Sequence, residues 1–121
     1  MKTILVVDDQ DNIRRLIEIS LVGLERKVYG VSSGEKAIDF AQRQKPDLII
    51  LDVVMPGGMD GFNALQILKT DPKTQNCPVV MLTARTQESD RNRALASGAS
   101  AYITKPFKVE ALKKKVEEIL A

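Results

Sequence analysis

Residues 4–9 read ILVVDD, a run of four aliphatic residues that ends in two carboxylates. An uninterrupted aliphatic run of this length is typical of a strand that is buried on both faces of a parallel sheet. Similar runs recur at intervals of about 20–30 residues, as expected for strands that alternate with helices. These further runs are Lys27–Val31, Leu48–Leu51, Val79–Leu82 and Ala101–Ile103.

The segments between the runs have the apolar spacing of helices that bury one face. Strand and helix alternate five times, which predicts a single α/β domain over residues 1–121. The predicted fold class is a doubly wound (βα)5 parallel sheet with the flavodoxin-like strand order 2-1-3-4-5. In the first predicted helix, one face carries Ile13, Leu16, Ile17, Leu21 and Leu24.

The composition excludes several classes of function. The 121 residues include no His, which excludes Ser-His-Asp and Cys-His catalysis, the usual zinc sites and a phosphohistidine carrier. Cys77 is the only cysteine, so the chain has no internal disulfide bond and suits a reducing cytoplasm. The formal net charge of +2 is too small for a protein that tracks nucleic-acid phosphates. We expect a cytoplasmic protein without membrane contact, because no signal peptide and no apolar run of ~20 residues is visible.

Polar residues stand at the carboxyl ends of four predicted strands. Asp8 and Asp9 follow the first strand, and Asp52 follows the third. Thr83 ends the fourth strand, and Lys105 stands at the end of the fifth. In open parallel sheets, ligands bind beyond these ends, near the point where the strand order reverses. Since the first and third strands are neighbours in the expected order, the three carboxylates should form one cluster.

Three crowded carboxylates repel one another and need a positive partner to stay ionised. A divalent cation supplies that charge, and a few carboxylates plus water suit Mg²⁺ in particular. Lys105 adds a positive charge and Thr83 adds a hydroxyl donor, and these groups together are typical of a phosphoryl site. Asp52 is the candidate nucleophile, because a carboxylate can form an acyl phosphate.

Taken singly, each of these residues has an ordinary structural explanation. Asp9 or Asp11 could cap the first helix, Asp52 could be a loop residue, and Lys105 could be a solvated surface lysine. The specific signal is the combination of an acidic pair, an Asp, a Thr and a Lys-Pro at strand ends in this order.

This combination resembles the receiver domain of two-component response regulators, and chemotaxis regulators in particular. The resemblance covers the whole chain. It implies a phospho-accepting signalling switch that uses Mg²⁺ and has no enzymatic activity beyond phosphorylation and dephosphorylation of itself. The stretches that carry it are residues 4–9, 46–52, 55–61, 78–84 and 98–107, which read ILVVDD, PDLIILD, MPGGMDG, PVVMLTA and GASAYITKPF.

The resemblance implies a role for each matching residue in the phosphoryl chemistry. Asp52 is expected to be the phosphoacceptor, and Lys105 is expected to contact the phosphoryl group. Thr83 and Tyr102 are expected to be the two switch residues. The peptide bond between Lys105 and Pro106 is expected to be cis.

The resemblance also implies the protein ligands of Mg²⁺. Asp9 is expected to bind the ion directly, together with Asp52, and Asp8 mainly through water. The backbone carbonyl of Val54 is expected to complete this set.

Partners follow from the same resemblance. A histidine kinase or a histidine phosphotransfer protein would donate the phosphoryl group, and the surface of the fourth helix, fifth strand and fifth helix would change to regulate a protein target. No direct nucleic-acid binding is expected, and the chain is expected to be a monomer or a weak phosphorylation-dependent dimer. Residues 87–93, QESDRNR, give the fourth helix few apolar anchors, so we expect it to pack weakly.

Two positions depart from the family pattern. Three residues, Gly57–Met59, separate Pro56 from Asp60 where two are usual, so this loop is one residue longer and more flexible. Gln10 follows the acidic pair where many relatives have Glu.

Several alternatives stay open. A haloacid-dehalogenase-type phosphatase also uses Asp and Mg²⁺, but only the stretch 9–11 matches its Asp-x-Asp motif, and only formally. A flavodoxin-like FMN binder needs a hydroxyl- and glycine-rich loop at the position of the acidic pair. A degenerate receiver that only binds partners is disfavoured, because all three aspartates of the acidic cluster are present. The chain ends at Ala121 without a DNA-binding domain, which favours a single-domain receiver, with a fragment of a larger regulator as the alternative.

Overall fold

The computed structural model describes residues 1–23 and 25–121, in which five strands alternate with five helices. Leu24, predicted on the apolar face of the first helix, lies outside the described residues. The strands are β1 (Lys2–Val7), β2 (Arg26–Val31), β3 (Leu48–Leu51), β4 (Val79–Thr83) and β5 (Ala101–Thr104). The helices are α1 (Asp11–Leu21), α2 (Gly34–Gln44), α3 (Gly61–Thr70), α4 (Glu88–Ala96) and α5 (Val109–Leu120). In these ranges no helix has the length and apolarity needed to cross a membrane.

The five strands form one parallel sheet in the order β2-β1-β3-β4-β5. The predicted (βα)5 fold class and strand order are therefore confirmed. β1 and β3 are central neighbours, and their register pairs Val7 with Leu51 at the last position of each strand. The residues that follow these two strands consequently leave the sheet side by side.

Helices cover both faces of the sheet, and each face has its own apolar cluster. β1, β3 and β4 are almost wholly buried, as the aliphatic runs predict, and they direct alternate side chains to the two clusters. On one face the helices α2, α3 and α4 contribute Ala37, Ala41, Phe62, Ala64, Leu65, Leu68 and Ala94. On the other face α1 and α5 contribute Ile17, Leu21, Leu112 and Val116.

Both edge strands and one residue of α1 are less buried than the sequence predicts. β2 and β5 are partly exposed along their length rather than buried on both faces, because they are the edge strands of the sheet. Leu16, which the periodicity places on the core face of α1, is 46% exposed, so that prediction was wrong. The buried stripe of α1 runs through Ile17 and Leu21, and Leu16 lies about 100° around the helix from Ile17.

Candidate functional site

The strand register brings the three predicted carboxylates together at the carboxyl end of the sheet. Asp52 continues the pairing of β3 with β1, since its N–H donates to the Val7 carbonyl at 3.1 Å. Asp8 and Asp52 are only 1% and 5% exposed, and Asp9 is half-buried. Each of the three offers a carboxylate oxygen, and these oxygens all lie within 4.8 Å of one another.

Lys105 joins this cluster from the position directly after β5, the edge strand next to β4. Its Nζ donates to Asp8 Oδ2 at 2.7 Å and to Asp52 Oδ2 at 2.9 Å. Its backbone N–H donates to the Thr83 carbonyl at 2.8 Å, which fixes the start of the segment after β5. The Lys105–Pro106 peptide bond is cis, the isomer that the family resemblance implies.

In both Asp8 and Lys105, burial and the neighbouring opposite charges shift the pKa in opposite directions. Burial raises the pKa of the Asp8 carboxyl, and the hydrogen bonds from Lys105 and from the Gln10 N–H offset only part of that effect. Burial by itself lowers the pKa of the Lys105 ammonium, but the hydrogen bonds to Asp8 and Asp52 outweigh it, so this pKa is raised. Lys105 is therefore held firmly in its charged form.

The donor set fits a hard divalent cation. Three carboxylates lie around one ammonium group. The single positive charge offsets only part of the repulsion among the three negative charges. Oxygen donors at this spacing are the ligands that Mg²⁺ prefers. Val54, the expected backbone ligand, is 49% exposed beside the cluster, and its N–H donates to Asp52 Oδ1 at 3.0 Å.

A cleft of about 490 Å³ opens over this end of the sheet. Asp9, Asp52 and Lys105 line it, whereas the more deeply buried Asp8 does not. The cleft is within the size range of small-ligand sites, and Asp52 is among the residues that face it. Its other lining residues are Gln10, Val53, Val54, Met55, Pro56, Asp60, Ala84 and Arg85.

The two expected switch residues lie beside the cleft rather than in its lining. Thr83 is fully buried at the end of β4, and its Oγ1 accepts a hydrogen bond from the Arg85 N–H at 3.3 Å. Tyr102 is half-buried on β5, and its hydroxyl donates to the Arg85 carbonyl at 2.8 Å. Both side chains are thus bonded to the segment between β4 and α4.

Arg85 is a residue of this site that the sequence analysis did not identify. Its guanidinium forms a bidentate ion pair with Asp90 in the first turn of α4, with Nε–Oδ2 and Nη2–Oδ1 distances of 3.2 and 3.1 Å. Arg85 could have been identified from the sequence, because it lies two residues after Thr83, just beyond the carboxyl end of β4, where ligands of parallel sheets bind. Asp90 gave no comparable signal, because it is one of several charged residues in a polar stretch.

The path of the loop between β3 and α3 depends on two glycine residues. Gly57 and Gly58 have φ angles of +80° and +124°, in the left-handed region that favours glycine. At the far end of the loop, Asp60 caps α3 through its side chain. Gly61 then lies so close to the Asp52 carbonyl that a Cβ would clash with it. The loop therefore returns to the backbone of the candidate phosphoacceptor.

Comparison with known proteins gives a consistent result. A family model described as the response regulator receiver domain matches residues 4–117. The response regulator PleD of Caulobacter vibrioides is 46% identical over 104 residues, which cover 86% of this chain and 23% of PleD. The heme response regulator HssR of Staphylococcus haemolyticus is 39% identical over 116 residues, which cover 96% of this chain and 50% of HssR. This chain thus spans about a quarter to a half of the length of these two relatives.

Solved structures are similar over nearly the whole chain. The chemotaxis protein CheY4 of Vibrio cholerae has a TM-score of 0.90 at 32% identity, and the match covers 99% of both chains. A putative response regulator from Chloroflexus aurantiacus also has a TM-score of 0.90, at 34% identity, over 98% of this chain and 97% of its own. The likeness therefore extends from β1 to α5.

Proposed function

Because this chain belongs to the response regulator receiver domain family, we propose that it is a two-component signalling switch that accepts a phosphoryl group on Asp52. Receiver domains of response regulators are signalling domains that interact with histidine kinases and downstream effectors. The observation that carries the proposal is the contact of Lys105 with both Asp8 and Asp52 inside the acidic cluster. We propose that residues 1–121 form one receiver domain.

Asp52 suits the role of phosphoacceptor better than the other two carboxylates. Asp8 does not line the cleft, and Asp9 receives no hydrogen bond from Lys105. Both oxygens of Asp52 are oriented, Oδ1 by the Val54 N–H and Oδ2 by Lys105. An oriented carboxylate can attack the phosphorus of a phosphohistidine in line, so that an O–P bond forms as the N–P bond breaks.

Asp8, Asp9, Asp52 and the Val54 carbonyl would hold Mg²⁺ in this proposal. When bound, the ion supplies positive charge beside the oxygens of the transferring group. The support is the close spacing of the three carboxylate oxygens. Asp9, which lines the cleft, suits a direct ligand, and Asp8, which lies behind it, suits contact through water.

Lys105 would hold the transferred group in place. Its ammonium is already shared between Asp8 and Asp52, at 2.7 and 2.9 Å. A phosphoryl group on Asp52 would add negatively charged oxygens within reach of the same donor, and charge-assisted hydrogen bonds of this kind are strong. Lys105 thus neutralises charge during transfer and remains bonded to the product.

Thr83 and Tyr102 would convert the modification into a change of surface. The Thr83 hydroxyl would turn toward a phosphoryl oxygen, and Tyr102 would move inward into the space that Thr83 leaves. Their shared attachment to Arg85 supports a coupled movement of the two side chains. The surface of α4, β5 and α5 would change with them and contact the downstream protein.

The proposed phosphodonor is a histidine kinase or a histidine phosphotransfer protein. The proposed output is contact with a protein rather than with nucleic acid, and the chain is proposed to be a monomer or a weak dimer that forms on phosphorylation. The only chemistry proposed for the chain is on itself, the gain and later hydrolysis of the acyl phosphate at Asp52.

Phosphorylation by a small-molecule donor tests this function. Acetyl phosphate or phosphoramidate with Mg²⁺ is expected to add the mass of one phosphoryl group, as measured by intact-protein mass spectrometry. Chelation of Mg²⁺ should prevent the addition. Asp52→Asn should abolish it, because an amide cannot form the acyl phosphate.

Asp60→Asn is the matched control for this experiment. Asp60 lines the same cleft and caps α3, and Asn is as good a helix cap as Asp. This variant should be phosphorylated like the parent chain. Equal labelling of Asp52→Asn and the parent would disprove the assignment, and turnover of a generic phosphomonoester would favour the phosphatase alternative.

A further inference from the structure

Arg14, near the start of α1, contacts the backbone between the two adjacent aspartates of the site. Its Nη1 donates to the Asp8 carbonyl at 2.8 Å. Among the residues that the structure describes, this guanidinium is the only hydrogen-bond donor to that carbonyl. The Arg14 backbone N–H also donates, to the Gln10 carbonyl at 2.9 Å. Arg14 therefore holds the segment between β1 and α1 through both its side chain and its backbone.

The Asp8 carbonyl belongs to the peptide unit that links Asp8 to Asp9. Because a peptide unit is planar, its orientation sets the last backbone angle of Asp8 and the first backbone angle of Asp9. These angles influence the directions in which the two side chains leave the backbone. The hydrogen bond from Arg14 thus acts on two of the three carboxylates whose oxygens lie within 4.8 Å of one another.

Glu18, one turn further along α1, holds the Arg14 side chain in place. Its Oε1 lies 3.8 Å from Arg14 Nε, and the Arg14 and Glu18 side chains are only 20% and 33% exposed. The pair lies over Gly30 of β2, where a Cβ would overlap the Glu18 carboxylate and approach Arg14 Cδ to 3.0 Å. The missing side chain at Gly30 therefore leaves the space that this pair occupies. The guanidinium also bonds to Asp11, but that carboxylate is 87% exposed and contributes little.

We infer that Arg14, held by Glu18 over Gly30, is a positioning residue for the proposed Mg²⁺ site. The inference rests on the proposed function, because Mg²⁺ is the ligand proposed for the three carboxylates. Arg14 acts through the peptide unit between Asp8 and Asp9, and it keeps both carboxylates directed to the cluster. Groups that orient metal ligands from behind in this way commonly change metal affinity by tenfold or more.

Positioning and simple charge predict opposite effects of replacing Arg14. Removal of a positive charge near a cation site should tighten cation binding by Coulomb attraction alone. Loss of the hydrogen bond to the Asp8 carbonyl should instead weaken binding, because the peptide unit is freed. Arg14→Gln therefore separates the two effects by the sign of the change in the dissociation constant of Mg²⁺.

A Mg²⁺ titration of the unphosphorylated chain, followed by amide NMR shifts, tests this inference. Arg14→Gln is expected to raise the Kd by about tenfold. Arg14→Lys should also raise it, since Lys keeps the charge but lacks the planar fork that reaches several acceptors. Arg15→Gln is the matched control, because Arg15 is exposed on the same helix and has no ion pair among the described residues. It removes the same charge and should not raise the Kd.

Gly30→Ala tests the same contact without a change of charge. The added methyl group would displace the Glu18 carboxylate, which lies at the flexible end of its side chain. Arg14 would lose this support, so the Kd should rise in the same direction as in Arg14→Gln. In the metal-free chain, the ¹³C resonance of the Asp8 carbonyl should move in Arg14→Gln and stay in place in Arg15→Gln. An unchanged or lower Kd in Arg14→Gln, or an unmoved carbonyl resonance, would overturn the inference.

The titration uses no phosphodonor, so its outcome is distinguishable from that of the proposed function. A parent chain that does not bind Mg²⁺, or is not phosphorylated on Asp52, would refute the proposed function. A parent chain that does both, with an Arg14→Gln variant that binds Mg²⁺ equally well, would refute only the role of Arg14.

Discussion

Asp8 is the residue in which burial and charge conflict most directly. Its carboxylate is less exposed than those of Asp9 and Asp52, and it keeps one ammonium partner, Lys105, at 2.7 Å. Burial raises the pKa of Asp8 from the ordinary value of 3.8, and the hydrogen bond from Lys105 does not restore it. In the metal-free protein, the charged form of this side chain therefore opposes folding.

Asp8→Asn should stabilise the metal-free chain at neutral pH, by roughly 1 kcal/mol in the free energy of unfolding. A group whose folded pKa is raised binds more protons in the native state than in the unfolded state. Its contribution to stability is complete below pH 3.8 and is lost as the pH rises through the folded pKa. Asn does not titrate, so the advantage of the variant should be largest at neutral pH and should disappear near pH 3.8. Urea unfolding in the presence of a chelator, at both pH values, measures it.

Asp71→Asn provides the contrasting control. Hydrogen bonds from the Lys73 N–H and the Gln42 amide lower the pKa of Asp71, so the sign is reversed. The stability that Asp71 contributes is present above pH 3.8 and is lost as the pH falls through its folded pKa. Its replacement should not stabilise the chain at neutral pH. A stability gain in both variants would show that loss of negative charge in general, rather than the site of Asp8, is the cause.

At the scale of elements, α4 is the helix with the weakest apolar attachment. It buries Ala94 as its one apolar residue, whereas α3 buries Phe62, Leu65 and Leu68 among others. Stable helices depend on tertiary packing of an apolar face, so a helix without one opens more easily. This difference matters because the proposed output surface contains α4.

Amide hydrogens of α4 should exchange with solvent faster than those of α3. We expect a difference of roughly tenfold or more in protection, which corresponds to about 1.4 kcal/mol in the free energy of local opening. Hydrogen–deuterium exchange followed by mass spectrometry or NMR measures both helices in one sample, with α3 as the internal reference. Equal protection of the two helices would contradict the weak attachment of α4.

The sequence predicts elements best where local pattern and topology agree. The aliphatic runs identify β1, β3 and β4, and the alternation with helices leads to the strand order. The carboxylate cluster then follows from the carboxyl ends of neighbouring parallel strands. The exposure of β2 and of Leu16 could not be obtained in this way, because an edge position and the angle at which a helix packs are tertiary properties.

The part of the site that the sequence analysis missed depends on side-chain direction. Arg85 and Asp90 are five residues apart across a strand-to-helix turn, and no helical or strand period links such positions. Whether a guanidinium meets that carboxylate is decided by the path of the turn and by the position of α4. The roles of Asp52, Lys105, Thr83 and Tyr102 stay predictions from the family resemblance, supported by the geometry described above.

For the whole molecule, a bound divalent cation should act as a stabilising ligand. A ligand that binds only the folded state raises the free energy of unfolding, by about 2.7 kcal/mol at one hundred times its Kd. We therefore expect Mg²⁺ to raise the Tm of the chain relative to the chelated sample, as measured by calorimetry. Asp9→Asn should remove most of this increase, because Asp9 is one of the three carboxylates at the site.

Asp11→Asn is the control for this measurement. Asp11 lies two residues beyond Asp9, is exposed, and pairs with Arg14 on the surface of α1. Since an exposed pair contributes little to stability, this variant should retain both its Tm and its response to Mg²⁺. If Asp9→Asn keeps the full response, the proposed ligand set is wrong.

The two apolar clusters on opposite faces of the sheet have a consequence for protein engineering. The layer of α1 and α5 and the layer of α2, α3 and α4 fill separate volumes, with the sheet as a partition between them. Substitutions in separate layers share no side-chain partners, so their free-energy costs should add. Each face can therefore be redesigned as an independent module, while β1 and β3 keep the carboxylate cluster at their carboxyl ends unchanged.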